Sequence, residues 1–199
     1  MKTLAIFLML VFAVPAQAVG IVALFPTDRA GFIGMASRGP LDTPVLCTSL
    51  AEFNTTFGAS TTGLSNPYLA PSVAGFFANG GTQCIIVRVA ADDDASVIGS
   101  DFGPGARTGL QAFLDEPYLS MIATPGLTSP SVQAALIAHC QTMGDRIAIL
   151  DPASPDDLAA VQAQRSVLAS DEGFAALYFP WVQAAPTGTS LLLPPSGFV

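Results

Sequence analysis

His139 is the only histidine in the chain, so any Ser–His–Asp hydrolytic triad would have to use it as the base. It sits beside the apolar stripe of a helical pattern, next to Cys140, and no serine stands in a G-x-S-x-G elbow. Adjacent residues on a helix point in different directions, so His139 and Cys140 cannot pair as thiol and imidazole. The pattern reads as a partly buried helix histidine. Cys47, Cys84 and Cys140 are far apart, with no C-x-x-C of the kind a zinc site uses. They read as three buried thiols, with one disulfide compatible with the sequence. Asp92-Asp93-Asp94 offers oxygens to calcium but lacks the alternating ligands, central glycine and final Glu of an EF-hand, so a solvated acidic loop is expected. Gly103 to Gly109 has the glycines of a phosphate loop without its G-K-[ST] ending, and reads as a mobile loop. Asp151 follows a strand, where α/β proteins often bind ligands, but Asp151-Pro152 equally suits a turn, which is the reading preferred. The expected set of catalytic, cofactor-binding and metal-ligating residues is therefore empty.

The elements around these residues alternate strand and helix. Strands are expected at 30–36, 45–48, 84–89, 119–123, 146–150 and 175–182, with a weak one at 191–193. The 84–89 run, rich in β-branched residues, suits burial on both sheet faces. Tyr178 and Trp181 would lie on opposite faces of the 175–182 strand, in the core or an interface. Ser49-Leu50-Ala51-Glu52 forms a capping box: the serine hydroxyl would accept from the Glu52 amide, and Glu52 would reach back to the Ser49 amide. That helix should end at Gly58 in a left-handed cap. Further helices are expected from about Pro71, over 107–114, from Ser129-Pro130 with a stripe of Val132, Leu136, Cys140 and Met143, and after Ser154-Pro155-Asp156-Asp157. Residues 90–106, with the aspartate run, glycines and Pro104, read as a break. Such spacing predicts an α/β fold with a mostly parallel sheet flanked by helices.

The chain has 199 residues, 51% of them hydrophobic, which argues against disorder. Its formal charge is −8, Lys2 is its only lysine, and its arginines are scattered, so nucleic acid is not an expected partner. The first residues resemble a secretory signal: a basic Met1-Lys2, an apolar run from Thr3 to Val14, and small Ala16 and Ala18 before a cleavage after Ala18. The run, roughly 12 residues, is shorter than the about 20 a membrane span needs, so no stable span is expected after cleavage.

Several local blocks resemble the tail sheath family of contractile phage tails and related injection machines. They are Ala30-Gly31-Phe32-Ile33-Gly34 with Arg38-Gly39-Pro40, then Phe76-Phe77-Ala78-Asn79-Gly80-Gly81 followed by Cys84-Ile85-Ile86-Val87-Arg88-Val89. Arg107-Thr108-Gly109-Leu110, Pro125-Gly126, Ile149-Leu150-Asp151-Pro152, Tyr178-Phe179-Pro180-Trp181 and Pro194-Pro195-Ser196-Gly197 follow in order. With residues 1–18 expected as a signal peptide and 92–106 as a linker or insertion stub, the resemblance implies 19–91 as a small N-terminal α/β portion and 107–199 as a partial subtilisin-like sheath core. It also implies a structural role in a virion or injection machine, no cofactor, and partners among other sheath subunits and an inner tail tube protein. Family members join neighbours through extended arms that add strands to a neighbour's sheet. The N-terminal arm is replaced here by the signal-like segment, and the C-terminal region beyond Pro194-Pro195-Ser196-Gly197 is short, so the isolated chain is expected not to build long sheaths.

The sequence supports three readings. Rings or tubes would support a structural sheath-like subunit or remnant. Export as a monomer with Val19 at its start would support a secreted phage-derived α/β binding module. Loss of a hydrolytic activity in His139→Ala would support an enzyme, the least favoured reading. Sheath assembly inside the producing cell and a signal for export pull localisation in opposite directions.

Overall fold

Strand β1, Arg29–Gly34, runs through the middle of the fold because, after Arg29 at its start, it carries nothing that needs water on either face. Ala30 and Phe32 enter one core with Cys84, Ile86, Phe53, Phe57 and Phe76. Ile33 enters another, on the opposite face, with Ile85, Val87, Phe113, Leu136 and Cys140. Gly31 has to be small: a Cβ there would lie 2.9 Å from the Phe113 ring and 3.1 Å from Ile122. The computed structural model describes residues 29–168, 173–184 and 191–198. The signal-like segment with Ala16 and Ala18 lies outside the described residues.

Around β1 the sheet has six strands in the order β2-β3-β1-β4-β5-β6. The other strands are β2, Val45–Cys47; β3, Gln83–Arg88; β4, Met121–Ala123; β5, Ile147–Leu150; and β6, Ala175–Leu177. All pairings are parallel except β2 with β3. Helices α1, Leu50–Phe57, and α2, Leu69–Ala78, supply Phe53, Phe57, Leu69, Val73 and Phe76 to the first core. The second core takes Val97 from α3, Asp94–Ile98, Leu110 and Phe113 from a 3-10 helix at Gly109–Asp115, and Val132, Leu136 and Cys140 from α4, Pro130–Met143. Helix α5, Leu158–Val167, starts on Asp157, whose carboxylate accepts from the amides of Ala159 and Ala160 at 2.9 and 3.2 Å.

Local structure departs from the expected pattern in several places. Ser49 Oγ does accept from the Glu52 amide at 3.2 Å. The Glu52 carboxylate, however, passes over the Ser49 amide to Thr48, whose N–H and hydroxyl both donate to it at 2.7 and 2.8 Å. Gly58 has φ +83° but ψ 149°, so it is not a left-handed cap; glycine is needed because a Cβ would lie 2.2 Å from Ser37 Oγ. Helix α2 begins near Pro71 as expected, at Leu69, with the proline in its first turn. The 90–106 segment contains α3, with Asp93 as its cap, and the 107–114 helix is a 3-10 turn shifted to Gly109–Asp115.

The expected 175–182 strand is also broken. Pro180 has no N–H to give a ladder, so β6 stops at Leu177. A separate strand β7, Val182–Ala184, then pairs antiparallel with β8, Leu191–Leu193, in a two-stranded sheet. Tyr178 and Trp181 therefore sit in a connection and not on two faces of one strand.

Ser129 joins two helices: its Oγ accepts from the Val132 amide at 3.2 Å and donates to Asp94 Oδ1 at 2.6 Å. Ser129→Ala removes both the cap and this link. It should lower unfolding free energy by about 1–2 kcal/mol in urea titrations followed by circular dichroism.

Candidate functional site

In an open α/β sheet, ligands bind outside the carboxyl ends of the strands, where successive connections leave in opposite directions. Here that point lies at β1, which has β3 on one side and β4 on the other. The loops that follow β4 and β5 bring Thr124, Gly126 and Asp151 to this end of the sheet. Asp151 is 3% exposed. Its Oδ2 accepts from the Gly126 amide at 2.9 Å and from Ser196 Oγ at 2.8 Å, and its Oδ1 accepts from the Ser196 amide at 2.8 Å. Burial pushes this carboxyl above its usual range, and the three donors pull it back only in part.

The neighbouring groups are likewise committed to one another. The Asp151 carbonyl accepts from Gln133 Nε2 at 2.7 Å and Gln164 Nε2 at 3.1 Å, and Gln164 also donates to Gln133 Oε1 at 2.7 Å. Buried Asn66 donates to the Pro125 carbonyl at 3.3 Å and accepts from the Tyr68 amide at 3.2 Å. The Tyr68 ring meets Trp181 edge-on at 5.2 Å, and Trp181 Nε1 donates to the Pro152 carbonyl at 3.0 Å. Gly126 adopts φ +71°, and a Cβ there would lie 2.3 Å from the Tyr68 ring. The segment carrying Ser196 rests on α2 at Ser72 and Gly75: a Cβ on Gly197 would meet the Ser72 Cα at 2.5 Å. The crevice that could hold a ligand is thus filled by the chain's own loops. Asp151 is neither a ligand-facing acid nor a simple turn former; it fastens the segment around Ser196 to the sheet.

The other residues singled out in the sequence occupy separate places. His139 is 6% exposed and its Nε2 lies 3.4 Å from Arg146 Nη1. Burial first, and then the Arg146 charge, lower its pKa to about 4. Arg146 itself is buried and clamps the end of the 3-10 helix, donating to the carbonyls of Phe113 and Glu116 at 3.1 and 3.0 Å while pairing with Asp145 at 2.7 Å. Cys140 faces the second core, where burial pushes its thiol up to about 12. Asp93 accepts from the Ser96 amide and hydroxyl at 2.9 and 2.8 Å, and Asp94 accepts from Ser129. In the glycine-rich loop, the amides that a phosphate would use face carboxylates: Gly103 donates to Asp101 at 3.0 Å, Gly105 to Asp115 at 3.0 Å and Gly109 to Asp42 at 2.9 Å. Arg107 bridges Asp101 and Asp115.

A groove of about 430 Å³ runs between α1 and α2, lined by Leu50, Asn54, Ala59, Tyr68, Pro71 and Ala74. A second, of about 250 Å³, holds Asp42, Arg107, Asp115 and Glu116. Neither gathers a nucleophile and a base.

The sheet edges are more open. Tyr178 N–H donates to the Leu150 carbonyl and Ala148 N–H to that of Phe174, at 3.1 and 2.9 Å. Residues 174, 176 and 178 therefore face β5, and the backbone groups of Ala175 and Leu177 point away from it. Among the described residues no strand pairs with this outer side of β6. Tyr178 and Phe179, just beyond it, are exposed.

No protein family and no curated protein matches the chain. Among solved structures it is similar to the helical sheath of the anti-feeding prophage in the contracted state, with a TM-score of 0.64 and 20% identity over 100% of this chain and 51% of that one. It is similar to the six-fold symmetrised baseplate of the same particle (0.64, 19%, 100% and 51%) and to its contracted baseplate (0.66, 19%, 100% and 53%). The chain has the fold found in these contractile sheath and baseplate structures and spans about half the length of the solved chains it matches.

Two outcomes follow from this geometry. Asp151→Ala leaves the amides of Gly126 and Ser196 without their acceptor, and should lower stability by about 3 kcal/mol in urea titrations. For His139, the unfolded imidazole takes a proton below about 6.5 and the folded one only below about 4. Its contribution is therefore complete above pH 6.5 and lost as pH falls towards 4, by up to about 3 kcal/mol. Unfolding titrations of the parent and His139→Gln across that window should show the parent losing more stability on acidification.

Proposed function

We propose that this chain is a structural subunit, or the remnant of one, of a phage-like contractile tail sheath, non-catalytic and acting through subunit contacts. The observation that carries this reading is the likeness of its whole described fold to a contractile sheath chain, at a TM-score of 0.64. Its filled carboxyl-end crevice supports it, because a chain that closes its own ligand position is suited to work through its surface. On this reading the partners are other sheath subunits and an inner tube protein, and residues 19–91 and 107–199 form the N-terminal portion and the partial core, with 92–106 between them. The outer side of β6 offers the backbone donors and acceptors that strand addition by a neighbour needs. The alternative, a secreted α/β binding module, draws its support from the basic start, apolar run and Ala16/Ala18 of the first residues.

Sedimentation velocity over a concentration series tests the first reading. The chain should associate at tens of micromolar, and Ala175→Pro should weaken association by about tenfold, ~1.4 kcal/mol. This proline replaces an outward-facing N–H at the first residue of the strand, where it spares the ladder to β5. A monomer at every concentration, exported with Val19 as its first residue, would favour the alternative.

A further inference from the structure

Of the three thiols, two face each other. Cys47 on β2 and Cys84 on β3 are register partners in the antiparallel pair, and both are free and fully buried in the same core. Directly opposed residues project from the same face of a sheet, with Cα atoms about 4.5 or 5.5 Å apart. A disulfide spans Cα separations of about 4.4–6.8 Å, so the backbone spacing of an opposed pair suits one. Cys140 belongs to the core on the opposite face and cannot take part. We propose that Cys47 and Cys84 are an oxidisable pair that closes into a cross-strand disulfide and locks β2, a three-residue strand at the sheet edge, onto β3.

The reaction is thiol–disulfide exchange with a small disulfide such as oxidised glutathione. One thiolate attacks the reagent and expels one glutathione thiolate. The second protein thiolate then attacks the mixed disulfide and expels the other. Two protein thiols lose their protons and two electrons, and one glutathione disulfide becomes two thiols. Burial, and next the Glu52 charge, push the Cys47 thiol up to about 11, and burial raises Cys84 as well. Thiolate is therefore scarce in the closed state, and exchange runs through local opening of the edge strand or while the chain folds. The bond would close a loop that contains α1 and α2, and such loops restrict the unfolded chain.

The test incubates the full folded chain with glutathione buffers of rising oxidised fraction, in low urea to admit edge opening, and traps the remaining thiols with iodoacetamide. Trypsin leaves Cys47 and Cys84 on one peptide between Arg38 and Arg88, and a second cut after Glu52 separates them unless a disulfide joins them. The expected result is a Cys47–Cys84 linkage with Cys140 alkylated, together with a Tm rise of about 5 °C or more. Cys140→Ala should give the same linkage and the same rise, and Cys47→Ala should give no linkage. Three alkylated cysteines, glutathione adducts that never close, a linkage through Cys140, or a linkage with no rise in Tm would each overturn the proposal.

Discussion

The Asp151 carboxylate holds the carboxyl end of this fold together. It is buried, it faces two backbone amides and a hydroxyl, and those donors come from a loop after β4 and from a segment 45 residues further along the chain. A buried carboxylate is costly unless its oxygens are bonded, so its position is tolerated only while Gly126 and Ser196 stay in place. The same contact seats Gly197 against Ser72 and presses the Gly126 backbone onto Tyr68, which in turn meets Trp181. Segments from five separate parts of the sequence, around Tyr68, Gly126, Asp151, Trp181 and Ser196, thus converge on a position that many α/β proteins leave open.

The residues with catalytic potential are spread through the molecule and engaged in fastening it: His139 against Arg146, Asp94 against Ser129, Arg107 between two aspartates. Among the described residues the sheet ends at β6 on one side and at β2 on the other. The pairing of Cys47 with Cys84 bears on the second of these, because it sets how firmly the β2 edge is held.

Much of the scaffold was legible in the sequence because its signals are local. Ser129-Pro130 before an apolar stripe, Gly144 in the left-handed conformation that ends α4, and the β-branched run at 85–89 each encode one element through short-range sterics and capping. The broken strand at 175–182 was misread because its apolar pattern continues past Leu177, and the missing N–H of Pro180 outweighed that pattern. The role of Asp151 was not legible: an Asp-Pro pair after a strand looks the same whether it turns the chain or receives donors from residue 196. Gln133, Gln164 and Asn66 were missed for the same reason, since their partners lie far away in sequence and only the fold brings them together. Gln133 did leave one trace, a polar residue beside the buried stripe of α4, which calls for a buried partner.

Residue-resolved hydrogen exchange at Gly126 and Ser196 probes the closure directly. If Asp151 binds both amides inside a filled crevice, they exchange as slowly as the central strands β1 and β4. Exchange of either amide at the rate of an unstructured peptide, while β1 and β4 stay protected, would mean that this end of the sheet stands open and that its residues are free to meet a ligand.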